Sequence, residues 1–192
     1  MKPKKSTSLL NLSSLANECG ISHTTARAWI SVLEAGFVIF RLRPHHKNFN
    51  KRLVKMPKLY FYDTGLAAYL LDIQSADQVQ THYARGALFE NLIITEILKR
   101  RFNQGRPANA YFWRDKTGNE IDCLVEKGLS LLPIEIKSGR TVTPDYFKGI
   151  DYFLRLAGGL AEKPCIVYGG AKNQERTKAN VFSWKSVAML DV

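Results

Sequence analysis

The chain has 192 residues, 45% of them hydrophobic, and a formal net charge of +11. Such a length and composition suit one domain or two small ones with a real core, and exclude a disordered or fibrous chain. Cys19, Cys123 and Cys165 are too few and too scattered for a disulfide framework or a CxxC zinc site, and no apolar run approaches a membrane span, so a soluble cytoplasmic protein is expected.

The charge is concentrated at one end. Residues 1–62 hold eleven Lys and Arg against Glu18 and Glu34, whereas residues 63–192 hold seventeen against fifteen acids. A basic excess on one small module is the footprint of a nucleic-acid binder, and it also suits an acidic protein partner.

In chain order, Leu12 to Cys19 reads as a short helix stopped by Gly20, and Ser22 as the N-cap of a second helix reaching Glu34. Two helices joined by a glycine turn predict a helix-turn-helix. Helical spacing turns Ala26, Trp29, Ile30 and Leu33 to the core and leaves His23, Thr24 and Arg27 outside, where they could enter a major groove. Strands are expected over Phe37–Leu42 and Lys58–Tyr62, which completes a winged helix within residues 1–72. From Arg41 to Lys58 there are seven basic residues (Arg41, Arg43, Lys47, Lys51, Arg52, Lys55 and Lys58), with Phe49 interleaved and no acid. Phosphate contact is their natural use, and the alternative is a solvated wing that touches only another part of a larger protein. His45 and His46 are adjacent and lack metal-ligand spacing.

Asp63 or Thr64 caps a helix ending near Leu71, and Gln74–His82 reads as a polar connector. A long helix is expected from Tyr83 to Phe102. Glu90 lies in the middle of its apolar face, among Ile93, Ile94 and Ile97, and a buried-face acid wants a partner. Arg85, Arg114 and Lys137 are candidates for a structural ion pair. Strands follow at Tyr111–Arg114, Glu120–Glu126 and Leu131–Lys137, with Pro133 expected near a strand start or a bulge. Pro144 starts a helix with Tyr146, Phe147, Ile150, Phe153 and Leu154 inside, and strands close the chain at Cys165–Tyr168 and Asn180–Trp184.

Strict alternation puts Asp122 on one strand face with Glu120, Leu124 and Glu126, and Glu135 on one face with Lys137, so that Asp122 and Glu135 could meet. Two carboxylates on neighbouring strands, with the carbonyl of Ile136, could hold Mg²⁺ or Mn²⁺, and Lys137 would stabilise charge on a phosphate. The plain alternative is a solvated strand face.

Asp122, twelve intervening residues and then Glu135-Ile136-Lys137 resemble the PD-(D/E)XK nuclease signature, with Ile121 in place of its proline. The phrases Lys58-Leu-Tyr-Phe-Tyr-Asp-Thr-Gly-Leu66, Gly86-Ala-Leu-Phe-Glu-Asn91, Tyr111-Phe-Trp-Arg114 and Gly118-Asn-Glu-Ile-Asp122 are similar to a C-terminal domain of unknown function found on prokaryotic AAA+-type ATPases. The resemblance implies an α/β (α+β) fold: a winged helix-turn-helix, then a restriction-endonuclease-like αβββαβ core at residues 83–192. It implies Asp122, Glu135 and Lys137 as catalytic residues, and Glu90 as a third metal ligand beside Asp122 and Glu135. It also implies DNA as partner. No Walker A sequence is present, so the ATPase part would be missing and the chain a fragment or a stand-alone version. The competing expectation is a non-catalytic regulatory domain binding DNA or protein, and a second copy of the chain is an admissible partner.

Overall fold

The computed structural model describes residues 9–46 and 53–192. Lys47, Phe49, Lys51 and Arg52 of the expected basic wing lie outside the described residues.

Helix α1 (Leu12–Glu18) is capped by the Asn11 side chain, and α2 (His23–Ala35) by Ser22, whose hydroxyl accepts from the Thr25 N–H at 3.0 Å. Gly20 joins them at φ +66°, a left-handed conformation that costs glycine nothing. Of the four α2 residues expected inside, Ala26 and Ile30 are buried, but Trp29 is 56% exposed and Leu33 40%. These two large side chains line an apolar groove of about 880 Å³ together with Leu15, Leu70 and Leu88. The reason is that α2 packs on α1 and on the hairpin after it by a narrow stripe, leaving the adjacent apolar flank uncovered.

The antiparallel hairpin of β1 (Ile39–Leu42) and β2 (Lys58–Phe61) follows, then α3 (Thr64–Leu70), whose N-cap Asp63 accepts from Gly65 and Leu66. The expected polar connector contains a helix, α4 (Ala76–Thr81), held by a capping box between Ser75 and Gln78. Helix α5 (Arg85–Asn103) is the longest element.

One six-stranded sheet forms the body. Its strands are β3 (Ala110–Arg114), β4 (Glu120–Lys127), β5 (Ser130–Lys137), β6 (Cys165–Tyr168), β7 (Gln174–Glu175) and β8 (Asn180–Ser183), in spatial order β3-β4-β5-β6-β8-β7. Pairing is antiparallel from β3 to β5, and β5–β6 and β6–β8 are parallel. Pro133 stands inside β5 opposite Leu124, one residue before the parallel ladder with β6 begins at Ile134. A short 3-10 turn, Pro144–Phe147, leads into α6 (Lys148–Ala157).

Each sheet face has its own core. On one side Ile93, Ile94, Ile97 and Leu98 of α5 meet Phe112, Cys123, Val125, Ile134 and Ile136, and Phe40, Leu42 and Tyr60 of the hairpin join the same cluster. On the other side Ile150 and Phe153 of α6 meet Trp113, Ile121, Leu124 and Ile166. The hairpin is stitched to the sheet edge as well: the His45 N–H donates to the Phe112 carbonyl at 2.7 Å, and the Val54 N–H to that of Arg114 at 3.0 Å. The result is a mixed α+β structure. Among the described residues no helix is long and apolar enough to cross a membrane.

Candidate functional site

Strands β4 and β5 meet the start of α6 at a cluster of buried ionisable groups. Its shape depends on an irregularity in β4. Tyr111 pairs with Leu124 but Trp113 pairs with Ile121, so Phe112 alone stands opposite two residues, Asp122 and Cys123. This extra residue is a β-bulge, and it breaks the alternation of side chains. Ile121 and Leu124 therefore share the α6-side core although they are three residues apart. The expected grouping of Glu120, Asp122, Leu124 and Glu126 on one face holds only in part: Glu120 and Asp122 both lie toward Lys58 of β2, whereas Leu124 packs in the α6-side core.

The bulge is reached from a tight turn. Asp115 anchors it, accepting from the N–H groups of Thr117 and Asn119, the Thr117 hydroxyl, the Asn119 amide and the Tyr152 hydroxyl. Burial alone would raise the Asp115 carboxyl, but the hydrogen bonds from Asn119 and Thr117 hold it below the usual range.

Asp122, Glu135 and Lys137 do converge. Oδ2 of Asp122 accepts from the Ile136 N–H at 2.8 Å and from the Lys137 ammonium at 3.2 Å, and that ammonium also contacts Glu135 Oε1. Asp122 and Glu135 are buried, whereas the Lys137 side chain keeps 30% of its surface exposed. The two carboxylates behave oppositely. Burial opposes charge on Asp122, but the Lys137 and Lys58 ammoniums and the Ile136 N–H overcome it and hold the carboxyl below its ordinary value. Burial pushes Glu135 up to about 8, with the Asp122 charge adding to the effect. Lys137 is raised above its ordinary value by Asp122 and Glu135 although burial opposes this. The other oxygen of Glu135, Oε2, is buried and accepts no hydrogen bond. It lies near Gly149 of α6, where an added Cβ would come within 2.6 Å of the Glu120 carbonyl oxygen.

Glu90 finds partners that the sequence reading did not name. Lys58 lies 2.9 Å from its Oε1, and the Tyr60 hydroxyl donates to the same oxygen at 2.6 Å. Burial raises the Glu90 carboxyl, Asp122 adds to that, and Lys58 and Tyr60 oppose it. Lys58 also pairs with Glu120, which has Arg114 at 3.6 Å. Arg85, another proposed partner for Glu90, donates to the Ser138 carbonyl at 2.6 Å and ties α5 to the end of β5. A signal for Lys58 and Tyr60 did exist: they share a strand face at i and i+2, and Glu90 needed a partner.

Lys58 is fully buried, so it cannot serve as one of the wing's phosphate contacts. Of the remaining described residues named for nucleic acid, His23, Thr24, Arg27, Arg43 and Lys55 are exposed. Arg41 is exposed but held by Glu34, to which its Nε donates at 2.6 Å. His45 is buried with Nε2 2.9 Å from Glu126.

Chemically, the cluster offers a charged carboxylate, a protonatable one and a half-open ammonium at one point. Cys123, beside it, is pushed by burial up to about 12 and is no nucleophile. The unsatisfied Glu135 Oε2 is the kind of donor that a hard cation would complete. Among the described residues, however, no three Asp, Glu, His or Cys groups converge closely enough to form a ready metal cage.

Residues 85–187 match a family model described as a domain of unknown function, DUF4143, and residues 1–77 match a second, DUF8612. Two mycobacterial proteins are similar: the uncharacterised proteins Rv2008c of Mycobacterium tuberculosis and Mb2031c of Mycobacterium bovis, each 32% identical over 130 residues. That span is 68% of this chain and 28% of each relative, so the chain accounts for a minor part of their length.

Proposed function

The chain belongs to the DUF4143 family, and from that footing we propose that it is a nucleic-acid-binding, nuclease-like module whose site is Asp122, Glu135 and Lys137. The observation that carries this reading is the Lys137 ammonium bridging Asp122 and Glu135 beside an unsatisfied, buried carboxylate oxygen. Asp122 and Glu135 would hold Mg²⁺ or Mn²⁺, which when bound would lower the pKa of a water and offset phosphate charge. Lys137, on the exposed side, stabilises charge that develops on the phosphate. Asp122 is fixed by the backbone of β5, so its carboxylate needs no reordering.

In this reading residues 83–192 form a PD-(D/E)XK-type core, and residues 1–72 a winged helix-turn-helix that meets DNA through His23, Thr24, Arg27, Arg43 and Lys55. The chain would be the C-terminal part of an AAA+-type ATPase. That the chain covers 28% of each relative supports a larger whole.

A second reading, a non-catalytic docking or regulatory domain, is favoured by two observations. Two lysines already neutralise the acids, and the groove at Trp29 and Leu33 leaves apolar surface for another protein.

The deciding experiment is cleavage of supercoiled plasmid and of a branched DNA with Mn²⁺ or Mg²⁺ against EDTA. Metal-dependent cutting lost in Asp122→Asn and Lys137→Ala is expected. DNA retained but uncut by the wild type would leave the second reading in place, and cutting that survives both substitutions would overturn the site.

A further inference from the structure

The acid cluster is built from two parts of the chain. Glu90, Glu120, Asp122 and Glu135 lie within residues 85–187, but Lys58 and Tyr60 come from the hairpin, within residues 1–77. Lys58 Nζ is 2.9 Å from Glu90 Oε1, contacts Glu120 Oε1, and lies 5.4 Å from the centre of the Phe112 ring. None of its surface is exposed. Its backbone is held on both sides, by pairing with Leu42 and by a bridge to Leu9. The two lysines thus differ. The Lys137 side chain keeps 30% of its surface in contact with solvent, whereas that of Lys58 is buried.

We infer that the Lys58 ammonium is a resident cation of the site, occupying the place between Glu90 and Glu120 and withholding both carboxylates from any divalent ion. The consequence, which rests on the nuclease-like reading, is that a metal bound by this chain uses Asp122 and Glu135 without Glu90. Lys58 is then a positioning residue: it holds the helix α5 acid and the β4 acid at a fixed separation and never touches substrate. A divalent ion between those acids would have to expel a buried ammonium, which costs its full set of ion pairs. Loss of the ammonium leaves two facing carboxylates, the oxygen donors that Mn²⁺ prefers.

The test is calorimetric titration of the whole chain with MnCl₂ in the wild type and in Lys58→Gln, Lys58→Met and Lys58→Arg. The Gln and Met variants should bind one Mn²⁺ more per chain than the wild type, and Glu120→Gln added to either should abolish the extra ion. Lys58→Arg, which restores a cation, should gain none. Glu90→Gln with Lys58 in place should leave wild-type Mn²⁺ affinity within twofold, while Glu135→Gln should weaken it tenfold or more. An unchanged stoichiometry in the Gln and Met variants overturns the inference, as does a tenfold loss of wild-type affinity in Glu90→Gln. If the wild type binds no Mn²⁺ and the neutral variants bind one, the resident cation stands and the nuclease-like reading falls. Should the neutral variants be unfolded in EDTA, recovery of their circular dichroism at millimolar Mn²⁺ supports the inference, and failure to recover overturns it.

Discussion

The main-chain N–H of Ile136 donates to Oδ2 of Asp122 at 2.8 Å, so a backbone group of one strand fixes the carboxylate of its neighbour. Asp122→Asn keeps an acceptor at that point and should fold. Asp122→Ala strands the N–H and one side of the Lys137 ammonium, at an expected cost of about 2–4 kcal/mol. Urea denaturation of the two variants measures the difference. Equal stabilities would mean that the anchor contributes nothing.

Glu135 sets a pH dependence. Its folded-state value of about 8 lies above the ordinary 4.5, so between these limits the folded chain holds a proton that the unfolded chain has released. Stability from this group is complete below about pH 4.5 and is lost as pH rises to about 8, with a slope approaching ~1.4 kcal/mol per pH unit. Unfolding curves in EDTA at pH 5, 6, 7 and 8 should show the decline, and Glu135→Gln should flatten it. A wild type that gains stability over this range contradicts the assignment.

Asp115 should govern the turn before β4. Five donors converge on its carboxylate, and Asp115→Ala leaves these part-buried groups of the turn and Tyr152 without their acceptor. A loss of about 1–3 kcal/mol is expected, with faster amide exchange at Thr117 and Asn119. Because the carboxyl sits below its usual range, the wild type should also lose this stability as pH falls through the acid range.

Gly149 lets α6 approach the site. A methyl group there would overlap the Glu120 carbonyl, a backbone atom that cannot rotate away. Gly149→Ala should destabilise the fold by about 1–3 kcal/mol, despite alanine's better helix propensity. A stabilised variant would show that α6 can slide freely on β4.

Three exposed cations test the DNA surface. If Arg27, Arg43 and Lys55 each meet a phosphate, replacing all three with alanine should reduce the slope of log Kobs against log salt by about 2.7. Fluorescence anisotropy with duplex DNA between 50 and 200 mM salt reads it. An unchanged slope would remove these residues from the interface.

Much of this structure was legible from residue pattern. Caps at Ser22 and at Asp63 or Thr64, the glycine stop at Gly20 and the strand spacing foresaw the elements, and the pairing of β4 with β5 brought Asp122, Glu135 and Lys137 together as expected. The failures have separate causes. A period of two cannot foresee one inserted residue, so the bulge at Asp122 and Cys123 moved Leu124 off the face it was expected to share with Asp122. Lys58 looked like the last residue of a basic wing because charge runs read as solvated. Its partners stand 32 and 62 positions away, at Glu90 and Glu120. Trp29 and Leu33 show the converse error, since apolar periodicity marks a face that can be buried without showing what covers it.

The hairpin's place in the α5-side core has a consequence for how such a chain can be divided. Phe40, Leu42 and Tyr60 pack with Ile93, Phe112 and Val125 across the point where one family match ends and the other begins. The seam between the two matches lies in the connector around α4, yet the packing does not part there. An excision made at that seam would strip the sheet of an inner wall and leave Glu90 without its ammonium. Recombination could exchange the two halves between relatives only where the replacement hairpin brings its own equivalents of Lys58 and Tyr60.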